Sequence, residues 1–411
     1  MTSPLQPPPS LLWLARACAH EKGRLLVVGG GVRDHLLGIP PKDWDVEIFD
    51  METRELKRIL QKRGTFHTVG RHFSVIKWNV DGDEIDLSIP RDDNLSNDSI
   101  EIEGNPSLSP EIAALRRDLT VNAIAFDPLK QVFVDPFGGL DDLKDRKFHP
   151  VSKETFLQDP LRALRAMQFL ARFSFQPTPL LEECCQLVSF DETPSERIRE
   201  EFKKLMLVGI SPSVGLQFAQ QTGCLHKLFP NMPDIPPRTL SALDMLASHG
   251  RATLNGKARA WTVMLATWLE YCGTDVAENT LDTLGIFTLD RFDVRQHTLQ
   301  AIACLPSLRL SDPCLRNLST MVDLQVLCTV AGALQGNSDL TQSCLQRADA
   351  LGVTHKAPPP ILQGRHLLEA GTKPGPEMGE ILKRVYQQQL DGNVKNLEQC
   401  MLEAQKTLGD L

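Results

Sequence analysis

Hydrophobic and polar positions follow two different periods along this chain. Up to about residue 150 the apolar groups come in short runs of strand length, and beyond it they recur at helical spacing to the C-terminus. Residues 25–28, Leu-Leu-Val-Val, form one such run, and Gly29, Gly30 and Gly31 break it off. Residues 32–37 predict a brief helix, stopped by Gly38, Pro40 and Pro41. Residues 43–49 then alternate strictly. Because strand side chains alternate, Asp43, Asp45 and Glu47 share one face while Trp44, Val46 and Ile48 take the other. Residues 53–63 read as a helix with Leu56, Ile59 and Leu60 on its apolar side. Strands are expected over 66–69, 73–80 and 84–89, and Asp81-Gly82-Asp83 supplies the hairpin turn between the last two.

A helix over 11–21 precedes all this, after a proline-rich lead-in over 1–10 that should be loose. Residues 92–110 are polar and acidic and read as a mobile loop. Residues 115–126 follow, and then 132–139, which read as a strand ending in a turn. The fold class is therefore α+β: a small mixed-sheet head followed by an all-α neck, body and tail. We place a lead-in at 1–22, the head at 23–150, the neck at 151–232, the body at 233–350 and the tail at 351–411. The later divisions follow the proline-rich breaks at 230–237 and 357–360.

Composition narrows the class. A chain of 411 residues is too long for one ordinary core, and 42% hydrophobic with 23% charged residues is usual for a soluble globular protein. No run is long enough for a bilayer span, so no membrane partner is expected. Residues 11–19 are short, interrupted by Arg16 and lack a basic lead, which argues against a signal peptide. The net charge of −8 means that any polynucleotide must be held by a local basic surface. The ten cysteines are scattered without a CxxC, which argues against a disulfide framework or zinc site and for a reducing cytoplasm.

Three constellations carry candidate chemistry. Asp43 and Asp45, two residues apart on one strand face, suit two-metal phosphoryl transfer, with Asp86 as a candidate third carboxylate. A solvated strand face is the plain alternative. Gly29, Gly30 and Gly31 lead into a helix, where backbone N–H groups can hold an anion, and Arg33 can fork onto phosphate oxygens. A tight strand-to-helix turn explains the glycines equally, and Asp34 could simply pair with Arg33. Residues 158–169 open with Asp159 and Pro160 at a helix start. At about 100° per residue, Arg162, Arg165, Gln168 and Arg172 fall on one face, with Ala163, Ala166, Met167 and Leu170 opposite.

In order and spacing these segments closely resemble the class II tRNA nucleotidyltransferase and bacterial poly(A) polymerase family, within the polymerase-β-like superfamily. The resemblance rests on VGGGVRD at 28–34, KDWD at 42–45, RRDLTVNA at 116–123, DPFGGLDDL at 135–143 and QDPLRALRAMQF at 158–169. It continues through SERIREEFKKLM at 195–206 and residues 360–382. It implies a nucleotidyltransferase head that adds C and A to the 3′ end of tRNA from CTP and ATP. It further implies that Asp43 and Asp45 bind two Mg²⁺ ions and that Gly30 and Arg33 contact the phosphates. Arg117 would contact the nucleotide, with Asp118 and Asn122 near the ribose or holding the loop. Asp159 and Arg162 would read the base, and Arg165 would help position base or triphosphate.

Two departures stand out: Gln158 and Gln168 occupy positions where relatives usually carry Glu and Arg. Some relatives also carry a metal-dependent phosphohydrolase domain, which needs an adjacent His-Asp pair. This chain has no His-Asp dipeptide, and residues 260–269 offer only apolar helix, so no such site is expected. The ten histidines read as structural or surface groups. Addition of CC only, of A only or of a poly(A) tail are the rival activities, and a catalytically retired tRNA-binding protein is the rival class. The oligomeric state is open.

Overall fold

The computed structural model describes residues 5–69, 75–91, 104–251, 254 and 256–410. The first residues of the lead-in, the start of the 73–80 strand and most of the 92–110 loop lie outside them. The described chain forms two compact units, one of 1–166 with 175–191 and the other of 167–174 with 192–411.

The first unit is built on a seven-stranded sheet. Its strands are β1 (Arg24–Val28), β2 (Trp44–Phe49), β3 (Thr65–Val69), β4 (Val75–Val80), β5 (Asp83–Ser88), β6 (Ala125–Asp127) and β7 (Val132–Val134), in the order β3-β4-β5-β2-β1-β6-β7. The sheet is mixed, as expected: β2 runs parallel to β5, and every other neighbouring pair is antiparallel. The Asp81-Gly82 turn joins β4 to β5 with positive φ at both residues, the twist-matched hairpin that this dipeptide favours.

Period-2 alternation gives the sheet two unlike faces. Leu25, Val27, Val46, Ile48, Trp78, Ile85 and Leu87 are buried on one of them. Helices α1 (Pro9–His20) and α3 (Thr53–Leu60) belong to this side, where Trp13 lies 6.1 Å from Trp78 and the Trp78 indole donates to the Arg63 carbonyl at 2.7 Å. On the opposite face Leu26, Val28, Phe49 and Ala125 make a smaller cluster with Ala113. Much of the rest of that face is polar. It carries Asp45, Glu47, Lys77 and Asp86, placed by the pairings Val28↔Asp45, Leu26↔Glu47, Asp45↔Asp86 and Lys77↔Asp86.

Helix α2 (Gly30–Leu36) follows β1 directly, and α4 (Pro110–Ala114) begins at Ser109, whose hydroxyl accepts from the Ile112 N–H at 3.2 Å. Helices α5 (Gly139–Lys144), α6 (Lys153–Leu157) and α7 (Leu161–Phe173) come next. The first unit runs past residue 150 because the chain returns to it. Lys147–Phe148 pairs in parallel with Gln176–Pro177, and Phe175 stacks on Phe148 at 4.9 Å. The division between the units therefore falls inside α7.

The second unit is helical apart from one two-residue pairing, Thr288–Leu289 with Phe292–Asp293, among the described residues. Its Lys257–Leu269 helix is apolar nearly all round and buried, with Trp268 stacked on Phe202 at 5.3 Å. Near the C-terminus, Leu362, Leu367, Ile381, Val385, Val394, Cys400 and Ala404 form a separate core. The proline-rich stretches near 230 and 358 are irregular connections.

Candidate active site

The polar sheet face is assembled from the glycine turn upward. Gly29 has φ +76°, a left-handed value that suits glycine, and a Cβ there would lie 3.2 Å from Asp45 Oδ2 and 3.7 Å from Arg117 Nη1. A Cβ on Gly31 would meet the Asp43 carbonyl oxygen at 3.0 Å. The glycines thus allow the turn to lie directly against both aspartates, a closer approach than either alternative drawn from the sequence required.

Asp43 lies just ahead of β2 and Asp45 within it, and both are exposed. The parallel register sets Asp86 beside Asp45. Lys77 Nζ makes ion pairs with Glu84 at 2.7 Å and with Asp86 Oδ1 at 3.2 Å, but the latter geometry leaves Oδ1 without a hydrogen bond. Although Asp45 is open to solvent on one side, protein crowding removes part of its hydration and pushes its carboxyl up. The Arg117 guanidinium pulls it back, the charges of Asp86, Asp43 and Glu47 push it up again, and the net shift is upward.

Glu47 continues the Asp43, Asp45 alternation and has a different fate. It is buried, and its Oε1 accepts from Arg117 Nη2 at 2.9 Å and from Arg116 Nη2. Burial and the adjacent Arg117 charge push the Arg116 guanidinium down, and Glu47 opposes them. This carboxylate clamp on two arginines was not among the expected site residues. Its signal, a third acidic residue at strand spacing, is visible in the sequence. Its partners, some 70 residues away, are not.

The remaining expected residues form a network beside it. Arg33 is buried; it donates to Asn122 Oδ1 at 2.5 Å and to Asp34 Oδ1 at 2.9 Å from Nε and 2.6 Å from Nη2. The pairing with Asp34 that the sequence left open is therefore present. Asp118 Oδ1 accepts from Asn122 and from the Leu119 N–H, both at 2.8 Å, while Oδ2 accepts from Arg165 Nε at 2.7 Å. Burial alone would raise the Asp118 carboxyl, but Arg165, Asn122 and the Leu119 amide outweigh it and hold it below the usual range. Asp118 and Asn122 thus hold the loop and orient two arginines.

Helix α7 differs from an exposed arginine stripe. Arg162 and Gln168 are buried with Ala163, Ala166, Met167 and Leu170, and only Arg165 and Arg172 keep partial exposure. Arg162 donates to the Arg116 carbonyl at 2.7 Å and to the Thr155 carbonyl, so a buried guanidinium is satisfied by backbone. Asp159 accepts from the Leu161 N–H at 3.1 Å and starts the helix. Gln158 ends α6 and is exposed. At the buried Gln168 position an amide avoids the desolvation of a charge.

A mixed sheet with a glycine turn against paired aspartates defines the nucleotidyltransferase fold. Residues 25–149 match the poly A polymerase head domain and residues 296–404 match tRNA nucleotidyltransferase domain 2. Residues 25–149 thus belong to the poly A polymerase head-domain family and residues 296–404 to the tRNA nucleotidyltransferase domain 2 family. A Multifunctional CCA protein from Xanthomonas campestris is 31% identical over 217 residues, which cover 51% of this chain and 51% of that protein. The chain thus spans about half the length of the curated relatives it matches. A Bacillus stearothermophilus CCA-adding enzyme solved in complex with CTP has a TM-score of 0.74 at 20% identity, covering 99% of this chain and 100% of that one. A CCA-adding enzyme in its apo form I gives 0.73 at 22%, covering 97% and 95%.

The family generally uses divalent metal, and the carboxylates here fit one. Asp45 carries a raised carboxyl crowded by the charges of Asp86, Asp43 and Glu47, which a cation relieves. No group of three or more His, Cys, Asp or Glu among the described residues closes a cage by itself. Among the same residues, no helix is long and apolar enough to cross a membrane.

Proposed function

We propose that this chain adds C and A nucleotides to the 3′ end of tRNA without a template, using CTP and ATP and releasing pyrophosphate. The observation that carries the proposal is the juxtaposition of Gly29, Asp45, Asp86 and Arg117 on one sheet face. The names of the head-domain relatives and of the similar structures support the same reading. Asp43 and Asp45 hold two divalent cations, taken to be Mg²⁺, with Asp86 as third carboxylate. When bound, those ions supply positive charge for the attacking 3′-oxygen and the departing pyrophosphate. Arg117, fixed by Glu47, faces the triphosphate, and Gly30 with the Arg33 network shapes the turn beneath it. Asp159 with Arg162 reads the base edge, and Arg165, set by Asp118, positions base or triphosphate. Base reading by Arg162 competes with its bonds to the Thr155 and Arg116 carbonyls. The helical second unit holds the tRNA through phosphate and shape contacts. Nothing in this scheme uses a membrane, and the chemistry suits the cytoplasm.

The test is tRNA lacking its terminal CCA, supplied with CTP alone, ATP alone or both, under Mg²⁺. We expect C addition from CTP alone and complete ends only with both. Processive growth from ATP alone would favour the poly(A) reading, and tRNA binding without any incorporation would favour a retired enzyme. Gly29→Ala probes the turn. At φ +76° and ψ −149° the backbone lies in a region held almost entirely by glycine, so an alanine costs about 1–3 kcal/mol, and its Cβ presses on Asp45 Oδ2. Incorporation should therefore fall by more than the modest loss of melting temperature explains. A full rate in Gly29→Ala would remove Asp45 from the turn's reach.

A further inference from the structure

The Leu324–Leu334 and Ser338–Ala350 helices form a hairpin within the residues matching tRNA nucleotidyltransferase domain 2. Asn337 closes its turn, its side-chain oxygen accepting from the Leu340 N–H at 3.0 Å. The helices approach closely at Gly332, where a Cβ would overlap the Thr341 hydroxyl. One helical turn further from the hairpin end, Cys328 of the first helix meets Cys344 of the second. Their sulfurs lie 2.6 Å apart, both thiols are free, and both residues are buried. The proposed active site uses neither.

We propose that Cys328 and Cys344 are an oxidative modification site, a reversible thiol pair that hydrogen peroxide converts to a disulfide across the hairpin. Three features of the geometry favour it. The antiparallel register places the two residues opposite each other, so no backbone rearrangement is needed to bring the sulfurs together. The tight packing at Gly332 holds the helices at that spacing. Burial restricts the oxidant to one of roughly water's size.

The two sulfurs lie in direct contact, so a thiolate formed at either is stabilised by the thiol of the other, and Cys344 is taken as the attacking group. In the first step the Cys344 thiolate attacks one peroxide oxygen, the O–O bond breaks and hydroxide leaves, giving a sulfenic acid. In the second the Cys328 sulfur attacks Cys344, the S–O bond breaks, and the hydroxyl departs as water with the Cys328 proton. The two thiols together lose two electrons, and the peroxide is reduced to water. A dithiol reductant reverses the link by exchange.

The full chain is treated with hydrogen peroxide, alkylated, digested without reductant and mapped by mass spectrometry. The expected product is a linked pair of peptides joining Cys328 to Cys344, lost on adding dithiothreitol. Closing so short a loop should also raise the thermal midpoint of the oxidised protein by roughly 5–10 °C. Cys328→Ser and Cys344→Ser should each abolish the linked peptides, and the cysteine that remains should give a sulfenic acid that dimedone traps. The wild-type map decides the matter even if a variant folds poorly. Complete alkylation of both thiols under peroxide that oxidises the half-buried Cys272 or Cys314 would overturn the proposal. Linkage of either residue to a different cysteine would do the same.

Discussion

Asp45→Asn is expected to cut nucleotide incorporation by about 10³-fold or more, since a catalytic metal site supplies several kcal/mol of transition-state stabilisation. The same substitution should make the metal-free protein more stable at neutral pH. The Asp45 carboxyl is raised in the fold, because partial loss of hydration and the charges of Asp86, Asp43 and Glu47 outweigh Arg117. A carboxyl with a raised folded pKa binds its proton more tightly folded than unfolded. It therefore favours the fold at low pH, and that advantage is lost as pH rises through the ordinary carboxylate range. Asparagine removes the charge and with it this loss. Thermal melting in EDTA at pH 7 should thus rank Asp45→Asn above wild type, and added Mg²⁺ should stabilise wild type selectively. The two effects separate a metal ligand from a structural aspartate. If Asp45→Asn melts lower in EDTA and gains as much from Mg²⁺ as wild type does, the metal assignment fails. The same upward shift predicts that wild type needs more Mg²⁺ as the pH falls, because protonation of Asp45 competes with the ion.

Glu47→Gln should be the most destabilising conservative change in the head. One carboxylate serves two guanidiniums there, and the side chains of Glu47, Arg116 and Arg117 keep 4%, 19% and 23% of their exposure. An amide of the same size leaves Arg116 without its counter-charge and Arg117 with only the Asp45 carboxylate nearby, and breaking a buried ion pair in this way costs about 3–5 kcal/mol. For a domain near this size that is a drop in melting temperature of roughly 6–20 °C. Arg117 also loses the contact that fixes it beside Gly29 and Asp45. Surviving activity at a permissive temperature should show a raised KM for the nucleotide, more than the fraction of unfolded protein accounts for. A melting temperature unchanged from wild type would mean that water already satisfies the arginines. Arg116→Met with Glu47 retained is the comparison, since Arg117 alone then neutralises the carboxylate and most of the stability should return.

Much of the head was legible because the signals are local. Alternation over 43–49, the Asp81-Gly82 turn and the glycine break after Val28 each act within a few residues, and each element formed close to where the pattern put it. Asp86 was placed by its own alternation, and the parallel register then set it beside Asp45. The arginine helix was less legible. Its helical character and its start at Asp159 followed from residue type, but the wheel separates polar from apolar positions and cannot report what surrounds a helix. The face carrying Arg162 and Gln168 is largely buried, and the Thr155 and Arg116 carbonyls satisfy Arg162 there.

What the sequence determined by itself about this protein is therefore its strands and turns, the side of the sheet that carries Asp45 and Glu47, and the family to which they belong. Those depend on a period of two and on backbone geometry, both written in consecutive residues. Only the tertiary structure decided that Glu47 clamps Arg116 and Arg117 while Asp45 stays open. It also decided that Asp118 sets Arg165, and that the first unit reaches past residue 150 through the return of Gln176–Pro177. These are pairings across many residues, chosen by which charges can be satisfied once burial removes water, and neighbouring positions in a chain carry no record of that choice.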